Sequence, residues 1–249
     1  MFEEEVCLHP LIRIAVLPLV AVSVLLSGTS YASEPQIINV KVKKNLGRIL
    51  VSADLEDAFS DDVEEALLSG MPVTFSYSVN LHRSRSLIWD KEVRSVRIHK
   101  MVKYDSFSKE FSALEIISDD PPEPEEFERE LSDIRKNNQN TLFSKEPVVL
   151  NHRNARYLSL KNLVAVQVWM GNLRNIEVGK IVEFKRDSKY YAEVKAELAS
   201  NTFASAVNYI LFFVSFLEFD TDWEYSTAFM MKNSGDSVNR LAGGDSRNK

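Results

Sequence analysis

Cysteine is all but absent: the 249 residues contain one, Cys7. It precedes an apolar run at residues 14–26, so a chain processed after that run holds none. Disulfides, thiolate nucleophiles and cysteine-ligated metals are thereby excluded from the processed chain. Glycine is thin as well, eight scattered residues, and no glycine-rich phosphate loop or dinucleotide fingerprint occurs. The four histidines, His9, His82, His99 and His152, form no H-E-x-x-H pair, and there is no G-x-S-x-G elbow. Neither sign of charge dominates: 30 Lys and Arg stand against 36 Asp and Glu, a net charge of −6 that gives no reason to expect nucleic acid as a partner. No apolar run reaches the roughly 18 residues of a membrane-spanning helix. No cofactor is implied.

What is present begins with an export signal. Residues 14–26 are apolar except for Ser23, Arg13 precedes them, and Ser30-Tyr31-Ala32 sets small residues at the −3 and −1 positions of a cut after Ala32. This is the three-part layout of a secretory signal peptide. Glu3, Glu4 and Glu5 stand where positive charge is usual, and the alternative is an uncleaved anchor at the inner membrane. Thr29 occupies the place of a lipobox cysteine, which excludes lipidation there.

From residue 38 the pattern becomes alternation. Ile38, Val40 and Val42 share one strand face, and Ile49, Val51, Ala53 and Leu55 share the next, with Asn45-Leu46-Gly47 as the turn. Ser60 is placed to cap a helix whose leading Asp61 and Asp62 suit its dipole, and which Gly70 and Pro72 stop. Residues 73–82 are the clearest strand, with Val73, Phe75, Tyr77, Val79 and Leu81 on one face. A later strand sets Val96, Ile98, Val102 and Tyr104 against Arg97, His99 and Lys103. A turn centred between Asp90 and Lys91 brings both apolar faces to one core; it sets His82 opposite His99, two possible metal ligands without a visible third, and Val79 opposite Val102. Residues 110–117 make a further strand, and the acidic, proline-rich stretch from Asp119 to Pro124 breaks the chain. Beyond it, residues 125–137 suit a solvated helix and residues 148–150 and 156–158 suit strands. Residues 159–170 suit a strand or a helix capped by Ser159 and stopped by Gly171. A hairpin is expected over 181–184 and 190–198, a buried strand over 209–217 and a last strand over 223–231.

Several segments in this order resemble one family: Leu67 to Phe75, Leu81-His82-Arg83-Ser84-Arg85 with Trp89-Asp90, Tyr104-Asp105, Phe212-Phe213, and Thr221-Asp222-Trp223. The resemblance is to exported proteins of Gram-negative bacteria that share a domain of unknown function. It implies export, a β-rich fold and a helix at 160–170, with the acidic stretch from Asp119 to Asn140 as an insertion; the expected location is the periplasm. It carries no activity and no catalytic residues to transfer.

The expected architecture is mainly β (α+β), with antiparallel β-sandwich-like sheets in two halves and two or three helices. Its divisions are a signal segment at 1–32, β-rich halves at 33–118 and 148–232, an acidic linker at 119–147 and a polar tail at 233–249. One charge feature stands out. Residues 83–103 hold seven basic side chains against Asp90 and Glu92, in a chain of net charge −6. Arg83, Arg85, Arg94 and Arg97, with Trp89 at the turn, are the candidate partner-binding residues, suited to an anionic membrane surface or an envelope protein. A charged edge that resists strand pairing is the plainer reading of the same residues. The expected function is a non-catalytic exported binding module; the alternative is a periplasmic hydrolase whose site is not evident in sequence.

Overall fold

The structure is a computed structural model that describes residues 33–121, 129, 132, 148–150, 155–198 and 218–231. The segment expected to act as a signal, the helix expected at 125–137 except for residues 129 and 132, the run at 209–217 and the tail from 233 lie outside the described residues. The described residues from Glu34 onward belong to one compact unit.

The first hairpin joins β1 (Gln36–Asn45) to β2 (Arg48–Glu56). Its two turn residues, Leu46 and Gly47, have φ of 46° and 77°, the consecutive positive values that match the twist of paired strands. Alternation in β2 is as expected, but in β1 Ile37 and Val40 face the core rather than Ile38 and Val40. Asn39, at φ 56°, sits in a bulge where the pairing jumps between Ile38 and Lys41, and one extra residue flips the faces. Helix α1 (Asp61–Leu68) starts where Ser60 accepts a hydrogen bond from the Val63 amide.

The clearest strand is β3 (Val73–Arg83), and β4 (Lys91–Asp105) returns beside it. The register differs from expectation: Ser76 pairs with His99, Val79 with Val96, and His82 with Glu92. Alternation fixes only which faces meet, so sliding the pair by an even number of positions keeps the core intact. The connection over residues 84–90 and a bulge at Leu81/His82 set the register instead of a tight turn at Asp90. His82 and His99 therefore lie apart and share no metal site.

β5 (Glu110–Ile117), β6 (Val148–Leu150) and β7 (Ala155–Leu160) extend this sheet. Helix α2 (Leu163–Gly171) follows, capped by Asn162, whose side chain accepts from the Ala165 amide, because Ser159 is still in β7. β8 (Asn172–Lys180) is a strand the sequence pattern hid: its buried Leu173, Ile176 and Val178 break period two around a bulge with Asn175 at φ 53°. Residues 181–183, expected as a strand, form a 3₁₀ turn. β9 (Lys189–Leu198) pairs with β3, not with the segment before it. The last expected strand is three short pieces, β10 (Phe219–Asp220), β11 (Glu224–Tyr225) and β12 (Phe229–Met230), all against β9. Between them Thr221 and Ser226 accept from the Ala196 and Ala192 amides at 3.0 and 2.9 Å, so side-chain oxygens replace main-chain acceptors.

The fold is thus mainly β. A small antiparallel sheet, β1-β2-β8, shares a core with a large antiparallel sheet ordered β9-β3-β4-β5-β7-β6, whose β9 edge carries the three short pieces. Both β-rich stretches of the sequence feed both sheets, since β2 pairs with β8 and β3 with β9. The core between the sheets holds Val51, Phe75, Tyr77, Val79, Leu173 and Val194. The outer face of the large sheet buries a second cluster, Met101, Leu114, Ile116, Ala155 and Tyr157.

Candidate functional site

The β3–β4 loop is held from below by a polar lattice. Glu193 on β9 accepts from the Asn80 amide group at 3.0 Å and lies 2.8 Å from His82 Nε2, while Ser95 Oγ donates to Asn80 Oδ1 at 2.8 Å. His82 also stacks on Tyr191, with ring centroids 5.2 Å apart. Above it the loop closes on itself: Asp90 accepts the Arg85 amide at 2.9 Å. Burial, and then Asp90 beside it, push the Tyr191 phenol up to about 12. The Ser84 amide donates to the Lys189 carbonyl at 2.9 Å and ties the loop to β9.

This anchored base displays an unusual tip. Leu87, Ile88 and Trp89 are 96%, 62% and 94% exposed. Three consecutive apolar side chains held in water cost solvation free energy and contribute nothing to the core. Cations flank them. Arg83 and Lys91 form the last register pair of the hairpin, two like charges directly opposite each other, which is mildly destabilising. Arg94 reaches across to Glu183, the last residue of the 3₁₀ turn, at 2.7 Å. Arg97 is the exception among the expected residues: it pairs with Ser78 further down the outer face, and its guanidinium donates to the Asp119 carbonyl at 2.9 Å. The structure thus gathers Arg83, Arg85, Trp89 and Arg94 at one end and leaves Arg97 out. Leu87 and Ile88, which make an apolar triplet with Trp89 between basic residues, were readable in the sequence as lying outside any alternating strand.

Two buried polar groups also bear on chemistry. Ser76 Oγ lies 2.8 Å from His99 Nδ1, and His99 Nε2 lies 3.2 Å from the Ser118 carbonyl. Burial pushes the imidazole down to about 4, so at neutral pH it takes the neutral form with Nε2–H toward Ser118. Both side chains are buried, and a serine nucleophile needs access that this pair lacks. Lys100 is buried under the end of α2, its ammonium on the carbonyls of Trp169 and Asn172 at 2.9 and 2.5 Å. Those contacts occupy it as a helix cap. Among the described residues no group of three or more His, Asp or Glu is placed to hold a metal ion. No helix among them is long and apolar enough to cross a membrane.

A family described as a domain of unknown function (DUF4390) matches residues 32–226. The chain belongs to that family. The match runs from β1 through β11 and includes the 84–90 loop, while β12 lies beyond it. No curated protein and no solved structure matches the chain.

Proposed function

We propose that this DUF4390 chain is an exported, non-catalytic module that attaches to an anionic membrane surface in the cell envelope through its β3–β4 loop. One observation carries the reading: an apolar triplet, Leu87-Ile88-Trp89, stands in solvent between Arg83, Arg85 and Lys91 on a loop whose base is fixed by hydrogen bonds. Tryptophan favours the headgroup depth of a bilayer, and each nearby Lys or Arg adds about 1 kcal/mol at an anionic surface, weakened by salt. The opposed Arg83 and Lys91 gain from an anionic partner what they lose to mutual repulsion in water. The run at residues 14–26 with Ser30-Tyr31-Ala32 supports export, and processing at that site leaves Ser33 as the first residue, which N-terminal sequencing of the protein from cells reads directly.

The test uses the chain from Ser33, which contains the whole compact unit and omits the apolar run. Its co-sedimentation is measured with vesicles of phosphatidylethanolamine and phosphatidylglycerol, at low and moderate salt. Binding that weakens with salt, and that is lost on replacing Arg83, Arg85 and Arg94 with serine while circular dichroism is unchanged, supports the reading. A folded triple variant that binds as the unsubstituted chain does would leave the loop as a charged edge.

A further inference from the structure

We infer that the docking surface is a crown of three loops at one end of the sandwich, fitted to an anionic phospholipid bilayer, in which Leu46 and Val182 enter the interface together with Leu87, Ile88 and Trp89. This deepens the proposed function and rests on it.

The three loops form a closed ring of contacts. The β1–β2 turn meets the 3₁₀ turn where the Ile181 amide donates to the Gly47 carbonyl at 2.7 Å. The 3₁₀ turn meets the β3–β4 hairpin through Glu183 and Arg94 at 2.7 Å. The hairpin meets β9 where the Ser84 amide donates to the Lys189 carbonyl, and Lys189 pairs with Met230. Lys44, on β1, donates to the Met230 carbonyl and closes the ring. At its tips Leu46 and Val182 are 92% and 88% exposed, nearly as bare as Leu87 and Trp89. The positive φ of Leu46 and Gly47 turns Leu46 away from the strands. The 3₁₀ turn buries none of its residues, so Val182 has no core to serve.

Charge selects the occupant. Residues 43–48, 83–94 and 177–189, which build the crown, hold eleven Lys and Arg against five Asp and Glu, while the whole chain has a net charge of −6. At the far end of β9 the sign reverses: a cleft is lined by Glu34, Glu218, Asp220, Asp222 and Glu224. A molecule polarised in this way turns its crown toward a negative surface before contact. The apolar tips sit on separate protruding loops rather than in one concave groove, the geometry for shallow insertion at several points. Phe107, 98% exposed in the turn between β4 and β5, lies at the opposite end of the hairpin and is the natural control.

The test measures partitioning of the chain from Ser33 into vesicles of phosphatidylethanolamine and phosphatidylglycerol, 70:30, and into phosphatidylcholine vesicles. The change in tryptophan emission on adding vesicles that Trp89→Phe removes, with Trp169 and Trp223 still present, reports insertion of Trp89. Leu46→Asn, which suits the positive φ, and Val182→Ser are each expected to weaken partitioning by about tenfold, the order expected for one apolar side chain withdrawn from an apolar phase. Leu87→Ser with Trp89→Ser is expected to abolish it, and Phe107→Ser to leave it unchanged. If L46N and V182S bind as the unsubstituted chain does while the Leu87/Trp89 variant does not, the crown is overturned and the hairpin reading stands. If the folded Leu87/Trp89 variant binds normally, both fall. Equal binding to phosphatidylcholine would overturn the anionic selectivity.

Discussion

Tyr77 and Lys100, on adjacent strands, cap the same helix end. The Tyr77 hydroxyl donates to the Met170 carbonyl, and Lys100 donates to the carbonyls of Trp169 and Asn172. The end of an α-helix leaves its last carbonyls without main-chain partners, and here α2 ends inside the sandwich where water does not serve them. The Lys100 ammonium also lies 3.6 Å from Glu115 and over the rings of Trp169 and Tyr77, at 5.0 and 5.7 Å.

This arrangement makes stability rise with pH in an unusual window. Burial pushes Lys100 down to about 8 against the pull of Glu115, while Arg156 and Arg174 push in the same direction as burial. In the unfolded chain the amine still binds its proton up to about pH 10.4, so between about 8 and 10 the unfolded state holds the extra proton and folding gains as pH rises. The gain approaches about 3 kcal/mol for a shift of this size. Burial, with Asp54 and Glu115 nearby, holds the Tyr77 phenol far above its ordinary range. Above pH 10 the unfolded phenol ionises and the folded one does not, so the trend reverses. Urea titrations at pH 7.5, 9 and 10.5 are expected to show a maximum near pH 10. Lys100→Met is expected to flatten the rise between pH 8 and 10.

Tyr77→Phe keeps the ring and removes the hydroxyl. The Met170 carbonyl is then left buried without that donor, at an expected cost of about 1–3 kcal/mol at pH 7. The same variant should lose less stability than the parent above pH 10, which separates the phenol's ionisation from a general weakening of the core.

The face of each regular strand was legible in the sequence, and the irregular backbone was not. β2, β3 and β9 show clean period two, and Val51, Phe75 and Val194 are buried as that pattern implies. β1 and β8 carry bulges at Asn39 and Asn175 that insert residues into the period, so Ile38 was set on the wrong face and β8 was missed. Register was beyond alternation, because parity leaves sliding by two undetermined. At the candidate end, Arg83, Arg85 and Trp89 were visible as a basic stretch with an aromatic. Leu46 and Val182 joined them only through long-range pairing, which no local pattern encodes.

His99 gives an acid-side counterpart to Lys100. Its neutral ring accepts from Ser76 and faces the Ser118 carbonyl, and burial pushes it down to about 4, with Arg97 acting in the same direction. The unfolded imidazole binds a proton near pH 6.5 while the folded one does not, so stability falls as pH drops from about 6.5 toward 4. Denaturation at pH 7 and pH 5, above most carboxylate titrations, is expected to show this loss, and His99→Gln should reduce the difference between the two pH values.

Gly179 has φ 152°, and a Cβ there would stand 2.8 Å from Phe184 Cζ. Phe184 is buried and packs edge-on against Tyr190, at 5.7 Å between centroids, so it has little room to yield. Gly179→Ala is expected to cost about 1–3 kcal/mol through overpacking and backbone strain. A thermal melt shifted by less than 1 °C would mean that the 3₁₀ turn and Phe184 reposition freely.

The strongest single test of the shared core is Phe75. Its ring is fully buried on β3 and is held by Phe59 at 5.3 Å and by Phe219, edge-on, at 5.2 Å. Those partners come from the segment before α1 and from β10, so this one ring joins the first part of the chain to the last. Phe75→Ala removes the transfer free energy of the ring and leaves a cavity between β-rich layers, at an expected cost of about 3–5 kcal/mol. Phe75→Leu retains most of the volume and is expected to cost less than half as much. Both are read from urea denaturation of the chain from Ser33, with the slope of the transition checking that each variant exposes the same surface. A loss below about 1 kcal/mol for Phe75→Ala would place that face of β3 outside the core and overturn the packing of β10 against it.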